Sequence, residues 1–257
     1  MKTYVVANQK GGVGKTTTAL AIASVLIREG YKVLFIDADR QCNSTDTYFA
    51  KFEGIQTLYD VILADEGDRI PLSEAIQHTE SGDIVPSDPL LRKADKILYD
   101  EIDGIYRLRD ALSDLKGYDY VIIDTPPANN SILQSCLTAA DEVIIPTTAD
   151  RYSIQGLSEI NSTINAVRKR PNPDLKIAGI LITKFAKRTN LDNETKESLN
   201  KISEMMDTKV FNSCIRTCIK VREAQAVRRL LFDYDAKCNA SLDYIDMVKE
   251  LIGEKYD

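Results

Sequence analysis

Residues 8–17 read Asn-Gln-Lys-Gly-Gly-Val-Gly-Lys-Thr-Thr and directly follow the apolar run at 4–7. An apolar-periodic stretch comes next and ends at Gly30, so the order is strand, glycine-rich loop and helix. Glycines in such a loop let backbone N–H groups converge on phosphate oxygens, and the start of the helix adds the positive end of its dipole. The stretch therefore predicts a phosphate cradle in an α/β protein.

The loop residues are predicted to bind a nucleotide. Lys15 is expected to reach the β and γ phosphates, and the Thr16 hydroxyl is expected to hold Mg²⁺. The strict P-loop pattern asks for glycine five positions before Gly14, where this chain has Gln9. The predicted nucleotide-binding residues are Lys10, Gly11, Gly12, Val13, Gly14, Lys15, Thr16 and Thr17.

A second lysine, Lys10, stands at the head of the loop. With it, residues 10–16 resemble the deviant Walker A loop of the ParA/MinD family of ATPases, and the flanking residues 8–9 and 17–18 resemble its ParA (Soj-like) partition branch. The resemblance implies ATP and Mg²⁺ as cofactors and a homodimer that forms with ATP. It also implies that Lys10 crosses the dimer interface to the phosphates on the partner subunit, so both Lys10 and Lys15 are predicted catalytic residues.

The length of 257 residues suits a single ATPase domain over 1–257. We predict an α/β fold, a P-loop NTPase three-layer sandwich with a mostly parallel twisted sheet flanked by helices. Further buried strands are predicted at 82–87, 142–146 and 176–183. The chain has no run of about 18 apolar residues and no charged-then-apolar leader, so we expect a cytoplasmic protein.

Two aspartates, Asp37 and Asp39, follow the predicted buried strand at 32–36. Functional residues of doubly wound sheets lie at the carboxyl ends of strands. Residues 37–44 resemble the switch I region of the family, usually Asp-x-Asp-Pro-Gln-Gly-Asn. The resemblance implies that Asp39 orients or deprotonates the attacking water and that Asp37 stands near the Mg²⁺ shell. Arg40 and Cys42 replace the proline and the glycine, so we expect this loop to be set differently.

A third acidic residue, Asp124, ends the predicted apolar strand that begins at Tyr118. This is the Walker B arrangement, in which the carboxylate holds the Mg²⁺ shell through water. The Asp-Thr-Pro-Pro run at 124–127 also resembles the family signature. Thr16, Asp37 and Asp124 are therefore the predicted metal-site residues.

Basic residues are concentrated in the second half of an acidic chain. The formal net charge is −6, yet residues 151–229 hold 16 Lys and Arg against 8 Asp and Glu. A local basic face can bind phosphates whatever the net charge, although a solvated surface of mixed charge is the alternative. Residues 210–224 resemble a ParA segment that contributes to sequence-independent DNA binding. The candidates are Arg216, Lys220 and Arg222, with Arg228 and Arg229 added on charge alone.

The resemblance predicts a ParA-type ATPase of DNA partition. Its ATP dimer would bind double-stranded DNA non-specifically, on the nucleoid, and a ParB-like centromere-binding protein would stimulate hydrolysis. A P-loop metabolic enzyme resembling dethiobiotin synthetase is one alternative, and it would need a substrate pocket. A MinD-like membrane-associated positioning ATPase is another, but the predicted helix at 241–252 has a mainly acidic polar face, so no membrane partner is expected.

Overall fold

Seven strands form one sheet in the computed structural model, which describes residues 1–63, 69–101, 103–150, 153–186 and 190–253. In chain order they are β1 (Lys2–Val6), β2 (Val33–Asp37), β3 (Gln77–Thr79), β4 (Gly82–Val85), β5 (Tyr120–Asp124), β6 (Glu142–Thr148) and β7 (Lys176–Thr183). The order across the sheet is β3-β4-β2-β5-β1-β6-β7. Only the β3–β4 pair is antiparallel among the strand pairs of these residues.

Helices connect the strands and cover both faces of the sheet. The α-helices of the described residues are α1 (Lys15–Arg28), α2 (Asn43–Thr47), α3 (Leu58–Ile62), α4 (Ala94–Asp100), α5 (Arg107–Ser113), α6 (Ser131–Ala139), α7 (Ser153–Lys169), α8 (Asn190–Met205), α9 (Ile219–Ala226), α10 (Leu231–Asp235) and α11 (Asn239–Ile252). Short 3₁₀ segments lie at Leu72–Ala75, Pro89–Lys93 and Gly104–Tyr106.

The central strands contribute to two hydrophobic cores, one on each face of the sheet. Side chains alternate along a strand, so Val5 of β1 enters one core and Tyr4 and Val6 enter the other. The first core packs against helices that include α3, α6 and α7, whereas the second packs against α1, α10 and α11. Strands buried on both faces read as continuous apolar runs, as β5 does. The predicted three-layer α/β sandwich is confirmed.

The predicted strands at 82–87, 142–146 and 176–183 are confirmed to within a few residues as β4, β6 and β7. The sequence analysis did not find β3 or the helix α9. The strand β3 is polar, and it is a three-residue edge strand held mainly by its pairing with β4. The helix α9 buries only Ala224, and its sequence accordingly lacks the apolar periodicity by which a helix is predicted.

Candidate nucleotide-binding site

Three neighbouring strands bring the predicted site residues together at the carboxyl edge of the sheet. In the register of β1, β2 and β5, Asp124 lies beside both Val6 and Asp37. The glycine-rich loop leaves β1 at this point, because Val6 is the last residue of that strand. The predicted cradle and both predicted metal-site carboxylates therefore meet at one place.

The loop between β1 and α1 has the backbone that its glycines allow. Gly12 and Gly14 have φ of 74° and 88°, a left-handed region that residues with a Cβ rarely adopt. Lys15 is only 6% exposed, and its Nζ donates a hydrogen bond of 3.1 Å to the carbonyl oxygen of Lys10. Burial lowers the pKa of Lys15, and the charges of Asp124 and Asp39 oppose that change. The buried ammonium group of Lys15, together with the backbone N–H groups of the loop, is suited to bind a phosphate.

A cavity of about 660 Å³ opens over this loop. Its walls come from the loop, from the segment after β2, from Pro127 after β5, and from α9 with the turn that follows it. The lining residues are Gly12, Gly14, Lys15, Thr16, Thr17, Leu20, Asp39, Gln41, Asn43, Asp46, Thr47, Pro127, Lys184, Val221, Arg222, Gln225, Ala226 and Arg228. This volume lies within the usual range for ligand pockets.

Asp124 is fully buried, and one of its oxygens has no partner. Burial is the largest cause that raises its pKa, followed by the charge of Asp37. The hydroxyls of Thr16 and Ser44 both lower that pKa, and Ser44 donates a hydrogen bond of 3.0 Å to Oδ2. Oδ1 of Asp124 accepts none. An orphaned carboxylate oxygen beside a hydroxyl is a donor set that Mg²⁺ prefers, so these residues fit the metal.

Asp37 is also fully buried, but its oxygens are satisfied by the protein. Oδ2 accepts hydrogen bonds of 2.8 and 2.7 Å from the backbone N–H and the hydroxyl of Thr45, and Oδ1 accepts one from the N–H of Asp39. Burial raises the pKa of Asp37, and the hydrogen bonds from Thr45 lower it. Asp37 therefore anchors the segment that carries Asp39.

Asp39 lines the cavity directly and is 7% exposed. Its Oδ1 accepts a hydrogen bond of 3.0 Å from the N–H of Gln41. Cys42 keeps a left-handed backbone with φ of 55°, although it stands where the family has glycine. A residue with a Cβ thus occupies a left-handed position here, which glycine would adopt with less strain. Arg40 is exposed and does not line this cavity, as far as the described residues show.

The side chain of Lys10 has a different partner from that of Lys15, although Lys15 contacts the backbone of Lys10. The Nζ of Lys10 donates hydrogen bonds of 2.8 and 2.7 Å to the two carboxylate oxygens of Asp150. The backbone N–H of Lys10 donates a hydrogen bond to Oδ1 of Asn8. The side-chain Nδ2 of Asn8 in turn donates one to the carbonyl oxygen of Pro146. Among the described residues that line the cavity, Lys10 is absent. Asp150 thus holds the Lys10 side chain, which does not line the cavity of its own chain.

Comparison with known proteins agrees with this geometry. A family model described as "AAA domain" matches residues 1–177. The chromosome partitioning protein ParA of Caulobacter vibrioides is 34% identical over 263 residues, covering 100% of this chain and 96% of that protein. The chain belongs to the ParA family of ATPases.

Two solved structures similar to this ParA-family chain contain nucleotide. One is a McdA–ATP complex from Cyanothece, with 26% identity and a TM-score of 0.86, covering 100% of this chain and 98% of that chain. The other is described as a cobyrinic acid a,c-diamide synthase from Mycobacterium smegmatis with an ATP analog and magnesium. It has 29% identity and a TM-score of 0.84, covering 98% of this chain and 94% of that chain.

The predicted DNA-binding residues of this ParA-family chain fall into three environments. Arg216 pairs with Asp243 at 2.6 Å and Lys220 pairs with Glu223 at 2.8 Å, so acidic neighbours partly neutralise both. The pKa of Lys220 is raised by its hydrogen bond to Glu223. Arg222 and Arg228 line the nucleotide cavity, where Arg228 also pairs with Asp46 at 3.5 Å. Arg229 is exposed and has no ion pair with a described residue.

The sequence analysis did not identify several polar contacts around the loop. Gln225 of α9 donates a hydrogen bond of 3.0 Å to the Thr17 hydroxyl, and Lys184 donates one of 2.7 Å to the carbonyl oxygen of Gly12. Lys184 also lines the cavity. No local pattern around Gln225 indicates its contact, because the two partners are 208 residues apart.

Proposed function

We propose that this ParA-family ATPase acts in DNA partition as a nucleotide-dependent switch. ATP with Mg²⁺ closes a homodimer, the dimer binds double-stranded DNA without sequence preference, and hydrolysis releases it. A ParB-like centromere-binding protein stimulates that hydrolysis. The position of Lys10, outside its own cavity, is the observation that carries the proposal.

Lys10 supports the dimer proposal because its side chain pairs with Asp150 and does not line the cavity of its own chain. The ion pair with Asp150 is partly exposed, with 30% of the Lys10 side chain and 41% of the Asp150 side chain accessible. Partly exposed pairs contribute only about 0–1 kcal/mol, so this one is easily exchanged for a phosphate contact. A lysine that reaches the partner's phosphates would complete each site only in the dimer.

The other site residues supply what phosphoryl transfer needs. Lys15 neutralises charge on the β and γ phosphates, while Thr16 and Asp124 would hold Mg²⁺, which would neutralise further phosphate charge. Asp37 holds Asp39 in place through the hydrogen bond from the N–H of Asp39. Asp39 orients a water in line with the bond to be broken. Positioning and charge neutralisation supply most of the catalysis in such reactions.

Non-specific DNA binding is supported by basic side chains near the cavity mouth. Arg229 has no described ion pair, whereas Arg222 and Arg228 also line the nucleotide cavity. We therefore expect Arg229→Ala to weaken DNA binding alone, and Arg222→Ala to weaken nucleotide binding as well. Loss of one contact to a DNA phosphate should reduce by about 1 the magnitude of the slope in a plot of the logarithm of the DNA association constant against the logarithm of salt concentration.

Co-sedimentation with non-specific DNA tests the proposal. The protein is measured with ATP, with ADP and without nucleotide, at two salt concentrations. Binding should require ATP, fall steeply with salt, and weaken in Arg229→Ala. Arg109→Ala is the matched control, because Arg109 is an exposed arginine of α5 paired with Asp110 and stacked on Tyr106. A dimer that forms with ATP yet ignores DNA under all conditions would sink the partition proposal.

A metabolic ATP-dependent enzyme is the second candidate, because one similar structure is described as a diamide synthase. Such an enzyme has to place a second substrate beside the γ-phosphate. A further cavity next to Asp39 measures about 160 Å³, which is small for an organic acid of drug size. Substrate-dependent ADP formation without DNA would favour this candidate.

Membrane-associated positioning is not favoured by the contacts of α11. No helix within the described ranges is long and apolar enough to cross a membrane. The acidic residues of α11 are used within the protein: Asp243 binds Arg216, and Glu250 binds Lys209 and the backbone N–H of Asn212. The helix is therefore a packing element rather than a free amphipathic anchor.

A further inference from the structure

A small cavity of about 160 Å³ adjoins the nucleotide cavity on the far side of Asp39. Asp39, Gln41 and Pro127 line both cavities, so these three residues form the boundary between them. The other lining residues are Ala38, Arg40, Leu91, Arg92, Pro126, Ala128, Asn130 and Ile132. A single water needs about 10–15 Å³ of such volume, so the small cavity has room for a tetrahedral oxyanion.

The small cavity is positively charged. Its ionisable lining residues are Arg40, Arg92 and Asp39, which carry two positive charges and one negative charge. Neither arginine makes a hydrogen bond or ion pair through its side chain with any residue that the structure describes. Asp88, a nearby acidic residue, does not line the cavity and accepts a hydrogen bond from the N–H of Leu90 through Oδ1. Each planar guanidinium group presents several N–H donors in a fork that matches a phosphate, and both of these groups are exposed and line the small cavity.

We propose that Arg40 and Arg92 form a binding site for the inorganic phosphate that ATP hydrolysis releases. The proposal rests on the proposed role of Asp39. The oxygen of the water that Asp39 orients forms a bond to the γ-phosphorus, and the bond from that phosphorus to the bridging oxygen breaks. The bridging oxygen leaves with ADP and keeps the electron pair, and the protons of the water pass to Asp39 or the product phosphate.

In-line attack moves the phosphoryl group away from ADP and toward the attacking water. The product phosphate therefore ends on the Asp39 side of the cradle, next to the small cavity. Asp39 alone would repel a phosphate dianion, and the two arginines offset this repulsion. Arg40 stands where the resemblance predicts proline, so this site depends on a departure from the usual family pattern.

Calorimetric titration of inorganic phosphate into protein saturated with ADP and Mg²⁺ tests the proposal without hydrolysis. Arg40→Gln and Arg92→Gln are each expected to weaken phosphate binding about tenfold, which corresponds to loss of one charge-assisted hydrogen bond. Arg40→Pro, which restores the family residue, should weaken binding to the same extent. The control Arg109→Gln should bind phosphate as the wild type does. An unchanged affinity for phosphate in the variant that combines Arg40→Gln with Arg92→Gln would overturn the proposal. A wild-type protein that binds no phosphate would also overturn it.

Product inhibition gives a second measurement on the same variants. The inhibition constant for added phosphate should rise by the same factor, with the KM for ATP at its wild-type value. If the KM for ATP rises by the same factor as the inhibition constant for phosphate, the substitution has damaged the nucleotide site. That result would contradict a separate phosphate site. Whether Asp39→Ala retains hydrolysis tests the role of Asp39 separately, so failure of that role and failure of the phosphate site can be distinguished.

Discussion

Asp124 is expected to destabilise the protein when no metal or nucleotide is bound. Burial raises the pKa of Asp124 to about 8, so at neutral pH the folded protein must take up a proton that the unfolded chain does not hold, at a cost of several kcal/mol. Asp124→Asn removes this cost, but the new amide leaves a buried N–H group without an acceptor, which costs about 1–3 kcal/mol. The net expectation is a gain of about 1–2 kcal/mol in the free energy of unfolding, or about 2–8 °C in Tm for a chain of this size.

Thermal unfolding in EDTA, repeated with ATP and Mg²⁺, measures this trade-off between stability and function. The Asn variant should melt higher than the wild type in EDTA, yet gain much less from ATP with Mg²⁺ and show no hydrolysis. Asp119→Asn is the control, because Asp119 immediately precedes the same strand at its opposite end and accepts a hydrogen bond from the N–H of Lys32. A variant with an unchanged or lower Tm in EDTA would refute the reasoning.

The same pair of proteins should respond differently to pH. Burial raises the pKa of Asp124 in the folded protein above its ordinary value of 3.8. The folded protein therefore holds this proton more tightly than the unfolded chain does. The contribution of the protonated carboxyl to stability is complete below about pH 4 and is lost as pH rises through the folded-state pKa. The advantage of Asp124→Asn in EDTA should thus grow with pH, and a constant difference would contradict the argument.

Three further substitutions test individual contacts. Asp150→Asn removes the partner that holds Lys10 in its own chain, so the ATP dimer should tighten by up to about fivefold, the equivalent of about 1 kcal/mol; a weaker dimer in sedimentation would contradict this. The free energy of unfolding in urea should be about 1 kcal/mol higher for Cys42→Gly than for Cys42→Ala, because glycine alone accepts the left-handed backbone without strain. The reverse order would show that no strain is present. Gly179→Ala should lose about 1–3 kcal/mol, because its Cβ would lie 2.7 Å from Phe211, and an unchanged urea midpoint would contradict that clash.

The sequence was sufficient to predict the phosphate cradle and the convergence of two carboxylates. Glycines at 12 and 14 determine the backbone of the loop, and parallel strands bring their carboxyl ends to one edge. Asp37 and Asp124 therefore become neighbours in the register of β2 and β5. These features depend on local geometry and on one general rule of sheets.

The partners of the basic residues could not be predicted in the same way. Lys10 and Asp150 are 140 residues apart, and Arg216 and Asp243 are 27 residues apart. Such pairs depend on how distant segments pack, and no spacing in the chain indicates them. The role of Arg222 as a cavity residue was missed because α9 itself was not predicted, so its side chain was assigned to a general basic surface.

Mixing two inactive variants tests the central claim, that Lys10 acts on the nucleotide of the partner subunit, most directly. Lys10→Ala keeps Asp39 but cannot contact its partner's phosphates, and Asp39→Ala keeps Lys10 but cannot orient water. In a mixed dimer, the Lys10→Ala subunit would have its own Asp39 and receive Lys10 from its partner. An equimolar mixture should therefore recover roughly a quarter of wild-type ATP hydrolysis, since half of the dimers in a random twofold assembly are mixed and each has one complete site. Mixing that restores no activity, although the two variants are shown to form mixed dimers, would contradict the account.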